Sequence, residues 1–183
     1  MSMSFMECVS GRRSVRKFKK DKIEDEVLKK IITSASYAPS WKNTQTVRYI
    51  VIDNDALKNE LAQTCVIDFK HNQDIITNAA MLILVTTVSK RSGYDRDGSF
   101  STSKETHWES FDAGVATQTL CLAAHAENLG TVILGIFDED KTIKLAKIPE
   151  DQKLSAIVAI GFPDETPPVP KRKEADELMD FRR

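Results

Sequence analysis

Arg12, Arg13, Ser14 and Arg16 place three guanidiniums and a hydroxyl within five residues, a donor set suited to a phosphate group. Guanidinium forks bind phosphate oxygens in pairs, and a hydroxyl adds a neutral donor. A phosphate monoester carries roughly two negative charges near neutral pH, more than one arginine neutralises in a partly buried site. Arg172, in the proline-rich tail, would add another cation if the tail folds back. The competing reading is a solvated or nucleic-acid-binding face, because six of the nine residues from Arg12 to Lys20 are basic. Val15 and Phe18 interleave with these charges as in a strand with one buried face, so part of the segment must turn toward protein.

A second polar cluster follows in Ala38-Pro39-Ser40-Trp41-Lys42-Asn43-Thr44-Gln45. Its plain reading is a helix-terminating turn in which Asn43 and Gln45 cap backbone groups. Its functional reading uses the carboxamides, which offer donor and acceptor from one side chain, against the alternating edge of a ring such as the pyrimidine side of a flavin. Gly130 and Gly135 bracket Thr131-Val132-Ile133-Leu134. That is either a short strand between turns or a backbone that approaches a ligand where Gly135 has no side chain in the way.

Other chemistries lack support. The seven glycines form neither G-x-G-x-x-G nor a P-loop, and no G-x-S-x-G elbow exists. Cys121 and His125 lie four apart on an apolar helix, a spacing that reflects packing more often than metal ligation. His71 and His107 have no partners at ligand spacing. Cys8, Cys65 and Cys121 fit buried or free thiols in a reducing cytoplasm rather than disulfides.

The elements that must position these groups are readable in outline. Residues 4–10 form a short helix with Phe5, Met6 and Val9 on one side and Gly11 as its exit. Glu24 to Tyr37 forms a longer helix, acidic in its first turn, with Val27, Leu28, Ile31, Ile32 and Ala35 as its buried stripe. Val47 to Asp53 is a strand, residues 55–64 a helix, and Met81 to Val88 a strand apolar enough to be central. Residues 89–104 form a long polar surface loop of the kind that serves as a lid, with Tyr94 and Phe100 as candidates to close over substrate. Glu105 to Asn128 is a small-residue helix stopped by Gly130, and Leu154 to Gly161 is a further strand. A proline-rich tail from 163 to 183 ends in a short acidic helix. The class is α/β or α+β, with four or five strands.

One domain accommodates all 183 residues. The net charge of −1 disfavours a nucleic-acid or membrane role for the whole protein. No apolar run approaches a membrane span, and no secretory signal opens the chain, so a cytoplasmic location is expected.

The order of these motifs resembles the FMN-dependent nitroreductase family. The shared features are R-R-S-x-R at 12–16, A-P-S-x-x-N-x-Q at 38–45, Leu129-Gly130-Thr131 after an alanine-rich helix opening Asp112-Ala113-Gly114-Val115-Ala116, and Lys171-Arg172 after the last strand. The resemblance implies a three-layer α+β fold, a central mostly antiparallel sheet flanked by helices, and an intertwined homodimer with FMN between subunits. It implies Arg12, Arg13, Ser14 and Arg172 around the phosphate, and Arg16 near the N1–O2 edge of the ring. Pro39, Ser40 and Asn43 would reach the flavin of the other subunit, Trp41 and Gln45 would be further cofactor-binding residues, and Leu134-Gly135 would lie at N5. It further implies NADH or NADPH as reductant, nitroaromatics, quinones or similar electron-poor small molecules as acceptors, ping-pong kinetics, and no catalytic side chain beyond the tuning by Arg16. Reductive dehalogenation, ene reduction and a non-catalytic flavin sensor are the alternatives. Gln45-Thr46-Val47 departs from the family's Q-P-W, and Trp41 stands where a small residue is usual. Trp41 either packs at the dimer interface or walls the substrate pocket, and Trp108, after the loop, is either ordinary helix packing or a second pocket wall.

Overall fold

The computed structural model describes residues 3–67 and 69–183. Its centre is a four-stranded sheet, β1 (Val47–Ile52), β2 (Met81–Val88), β3 (Gly130–Leu134) and β4 (Gln152–Gly161), in the order β1-β2-β4-β3 with every pair antiparallel. The apolar run of β2 is explained by burial on both faces. Leu82 and Leu84 enter one core with Leu61, Ile75 and Ile76, while Met81, Ile83 and Val85 enter the other with Ile31, Leu120 and Ala124. Helices α3 (Asp55–Thr64), α4 (Lys70–Asn78) and α6 (Glu139–Ala146) cover the first face, and α2 (Asp25–Ala35) and α5 (His107–Ala126) the second. The architecture is thus the expected three-layer α+β fold. At the β2–β4 pairing a bulge leaves Ser155 without a Cα partner, and the parity change lets Leu154 face the same side as Ile157.

α1 (Phe5–Gly11) begins with a capping box between Ser4 and Glu7. It buries Cys8 and leaves Phe5, Met6 and Val9 exposed. Gly11 does not supply a turn at its end. A Cβ there would lie 2.9 Å from His125 Nε2 on α5, so a larger residue would require that ring to move. Gly130 likewise is not the stop of α5: Asn128 closes that helix in the left-handed region (φ 61), and Gly130 already belongs to β3. At its other end α5 starts at His107, two residues later than the sequence suggests, because Glu105 has φ 48.

Helices α4 and α6 do not stand out in the sequence. Lys58, buried on α3, donates to the carbonyls of Ala79 (2.7 Å) and Ala80 (3.1 Å) just past the end of α4, and so ties the two helices together. Its ammonium also holds the Asp55 carboxyl below its ordinary range. α6 is capped by Asp138, which accepts from the Lys141 N–H at 3.0 Å. The short tail helix α7 (Ala175–Leu178) is exposed. All three cysteines are free and buried. Among the described residues no helix is long and apolar enough to cross a membrane.

Candidate functional site

Apolar side chains dock the arginine segment. Val15 sits on Gly130, where any Cβ would approach its side chain to 2.7 Å, and Phe18 sits on Gly161, where the closest approach would be 2.9 Å. Ser14 pairs with Thr131, and the Val15 N–H donates to the Thr131 carbonyl at 3.0 Å. The segment therefore extends along β3 at the sheet edge. Glu165 fixes it from the tail side, accepting from the backbone N–H of Arg16 (2.6 Å) and of Lys17 (3.2 Å).

This docking uses none of the guanidinium groups in ion pairs. Among the described residues no carboxylate forms a salt bridge with Arg12, Arg13 or Arg16. Arg13 Nη1 donates to the carbonyls of Ser10 and Arg12, and its Nε is buried without a partner. Arg12 and Arg13 line a cavity of about 360 Å³ with His125, Gly130 and Thr131, closed by Glu165, Pro167 and Val169 of the tail. The tail folds back that far. Arg172 lies beyond it, exposed, with Nη1 3.5 Å from the Pro170 carbonyl. Burial, together with the Arg12 and Arg13 charges, pushes the His125 imidazole below its ordinary pKa.

Arg16 faces a different cleft. It shares a shallow opening of about 530 Å³ with Leu134, Gly135, Ile133, Ile136 and three residues at the start of α4: Phe69, His71 and Asn72. Leu134 is a core side chain, so its contribution there is main chain. Ile133 and Ile136 are exposed beside Gly135, where a Cβ would meet nothing within 4 Å. The α4 residues were missed because the helix itself was not recognised. Asn72 is buried to 6% exposure, and its carboxamide makes no hydrogen bond among the described residues. One signal was available, since Asn72 lies three and four residues before Ile75 and Ile76, on their apolar face.

The 38–45 segment lies at the opposite edge of the sheet. Asp112, 2% exposed on α5, accepts the Trp41 N–H with both oxygens (3.1 and 3.0 Å) and also accepts from the Ser92 hydroxyl. Ser92 in turn meets the Thr44 hydroxyl at 3.3 Å. Ser40 Oγ accepts the Gln45 N–H at 2.9 Å and keeps its own proton to donate. These bonds hold Lys42, Asn43 and Gln45 at φ 45, 54 and 47, an uncommon density of left-handed non-glycine residues. Pro39, Ser40 and Gln45 line a cavity of about 380 Å³ with Asp112 and Tyr49, whose phenol burial pushes up to about 12. Trp41 packs on Trp108 (centroids 4.7 Å), which meets Phe111 edge-on at 5.6 Å and donates its indole N–H to Thr102. Not all of the 89–104 loop is superficial: Ser92 and Gly93 are buried, Gly93 against Trp108.

The candidate residues thus fall into two groups that one chain does not unite. Three strand spacings, roughly 14 Å, separate the β1 and β3 edges. Thirteen residues of α5, about 20 Å, separate Asp112 from His125.

The fold has counterparts among known proteins. A nitroreductase family protein from Clostridium novyi NT superposes with a TM-score of 0.79 at 29% identity, covering 96% of this chain and 91% of its own. The NADPH:FMN oxidoreductase of Vibrio harveyi, in complex with NAD+, gives 0.80 at 25% identity, covering 97% and 76%. The iodotyrosine deiodinase of Thermotoga neapolitana is 27% identical over 89% of this chain and 90% of its own length. The Nitroreductase family profile matches residues 9–162, and the chain belongs to that family.

Proposed function

We propose that the chain is an FMN-dependent oxidoreductase that carries hydride from NADH or NADPH to nitroaromatic, quinone or similar electron-poor acceptors, as a homodimer with one cofactor at each half-site pair. The carrying observation is a cleft lined by Arg16, free of carboxylate partners among the described residues, and by the buried Asn72, whose carboxamide makes no hydrogen bond among them, beside the open face of Gly135. A cation, a donor–acceptor amide and an exposed aliphatic floor of Ile133 and Ile136 suit a planar heteroaromatic ring with one polar edge. FMN bound there would supply the hydride-carrying ring.

The chain's own residues have distinct tasks in this reading. Arg12, Arg13 and Ser14 hold the phosphate, with Arg172 reaching it if the tail shifts on binding. Arg16 keeps a fixed positive charge where the ring gains electron density, which favours reduction. Pro39, Ser40, Asn43 and Gln45 serve the cofactor of the second subunit, because their own chain holds them at the far edge of its sheet. Trp41 and Trp108 wall the acceptor side. With no separate nicotinamide motif in the sequence, reductant and acceptor use one pocket in turn, giving ping-pong kinetics. A dimer would also cover Phe5, Met6, Phe111, Leu178 and Phe181, which one chain leaves exposed.

The deciding experiment is anaerobic titration. A yellow dimeric protein should bleach with NADH or NADPH and recolour on addition of a nitroarene or quinone. A protein that neither contains nor takes up FMN would overturn the proposal.

A further inference from the structure

The side chains lining the Arg16–Gly135 cleft include two ionisable groups, Arg16 and His71. A guanidinium keeps its proton throughout the physiological range, so it attracts an anion without neutralising it. Imidazole is the side-chain type that ordinarily exchanges a proton between pH 5 and 8. We propose that His71 is the proton donor to the electron acceptor in this cleft, and that the acceptor is a quinone-type compound whose oxygen becomes negative on taking up hydride. This rests on the proposed function.

The placement supports a catalytic contact. His71 lies in the first turn of α4 with its ring exposed, 6.0 Å from the Phe69 ring and nearly perpendicular to it. It makes no side-chain hydrogen bond or ion pair among the described residues. Among the described residues the charged groups around it are few. Lys70 and Asp74 on α4 pair with each other, and Arg16 faces the cleft from the arginine segment. β3 and the turn at 134–136 contribute no titratable group. With Arg16 at the ring edge, an oxygen anion formed on the acceptor beside His71 would be neutralised by the imidazolium proton.

The step balances with NAD(P)H as the source of the electron pair. Hydride converts the quinone to a hydroquinone monoanion. The anionic oxygen forms an O–H bond as the imidazolium N–H bond breaks, leaving hydroquinone and neutral imidazole, which solvent reprotonates. An acceptor that takes electrons without a proton, such as ferricyanide, gains nothing from His71.

The test compares reoxidation of the FMN-reconstituted, NADPH-reduced protein by 1,4-benzoquinone and by ferricyanide, in rapid mixing. In H71F and H71Q the quinone-to-ferricyanide rate ratio should fall on the order of tenfold or more. K70A, one residue away and outside the cleft, should keep the wild-type ratio. Independently of turnover, 4-nitrobenzoate should shift the His71 ring resonance in proton NMR, identified by its loss in H71F, without moving those of His107 and His125. An unchanged ratio in both variants, an equal loss in K70A, or an unmoved His71 resonance would overturn the assignment. A protein that bleaches normally with an unchanged ratio removes His71 alone, whereas one that never bleaches removes the proposed function with it.

Discussion

Residues 12–18 and residues 40–45 both present candidate binding groups, yet the chain holds them by opposite means. The arginine segment is anchored by Val15 and Phe18 on two glycines, with backbone pairing to Thr131. Its guanidiniums stay out of ion pairs among the described residues, and their charge remains available. The 40–45 turn has no such apolar anchor beyond Trp41. A buried carboxylate and two hydroxyls hold it instead, and they keep three non-glycine residues in left-handed backbone. Packing serves where donors must be left free, and a polar network serves where backbone strain must be over-determined. The first region should then be sensitive to volume and tolerant of polarity, and the second the reverse.

Asp112→Ala should break that contrast most visibly. It strips the half-buried Trp41 N–H and the buried Ser92 hydroxyl of their acceptor, at a cost of about 2–4 kcal/mol. The melting temperature should drop by about 5–10 °C, and Asp112→Asn, which keeps an acceptor oxygen, should recover much of it. A melting curve for the alanine variant within experimental error of wild type would remove the polar network as the holder of the turn. Next in size is Gly130→Ala, whose methyl meets Val15 at 2.7 Å. Overpacking of this kind costs about 1–3 kcal/mol. In a double-mutant cycle with Val15→Gly the two penalties should be less than additive; strict additivity would mean that Gly130 is not the seat of Val15.

The same contrast explains which parts were legible in the sequence. β1, β2, α2 and α3 follow from local periodicity, and the buried side of the arginine segment follows from Val15 and Phe18. What escaped depends on contacts distant in sequence. Gly130 looks like a helix stop until Val15 is seen lying on it. Asp112 looks like the opening of a helix, because its partners Trp41 and Ser92 lie 71 and 20 residues away. α4 and α6 are amphipathic but short, with few apolar residues each to mark the period, and gain stability from the sheet face they cover. With α4 went His71 and Asn72, so the site was read without one of its walls.

Within the first region, Arg12 and Arg16 line different cavities, and substitutions should separate them. Arg12→Ala should weaken FMN binding by about 10- to 100-fold, the loss of one charge-assisted contact. Arg16→Ala should lower the flavin reduction potential more than Arg12→Ala does. Equal potential shifts in spectroelectrochemical titration would merge the two roles into one.

The smallest effect tests whether the Arg12 and Arg13 charges are uncompensated. His125 is held below its ordinary value of 6.5 first by burial, then by these two arginines. A depressed imidazole pKa means that the folded state binds fewer protons than the unfolded one between that lowered value and 6.5. Its contribution to stability is therefore present above pH 6.5 and lost as pH falls through this window. Melting of the FMN-free protein between pH 7.5 and 5 should show an acid loss that His125→Gln reduces by roughly 1–2 °C. Inorganic phosphate bound at Arg12 and Arg13 would offset the two charge contributions and leave only burial, so phosphate should shrink the difference between wild type and His125→Gln. A difference that phosphate does not change would mean that the guanidiniums already have a counter-charge, and that the arginine segment is not the open anion site its packing suggests.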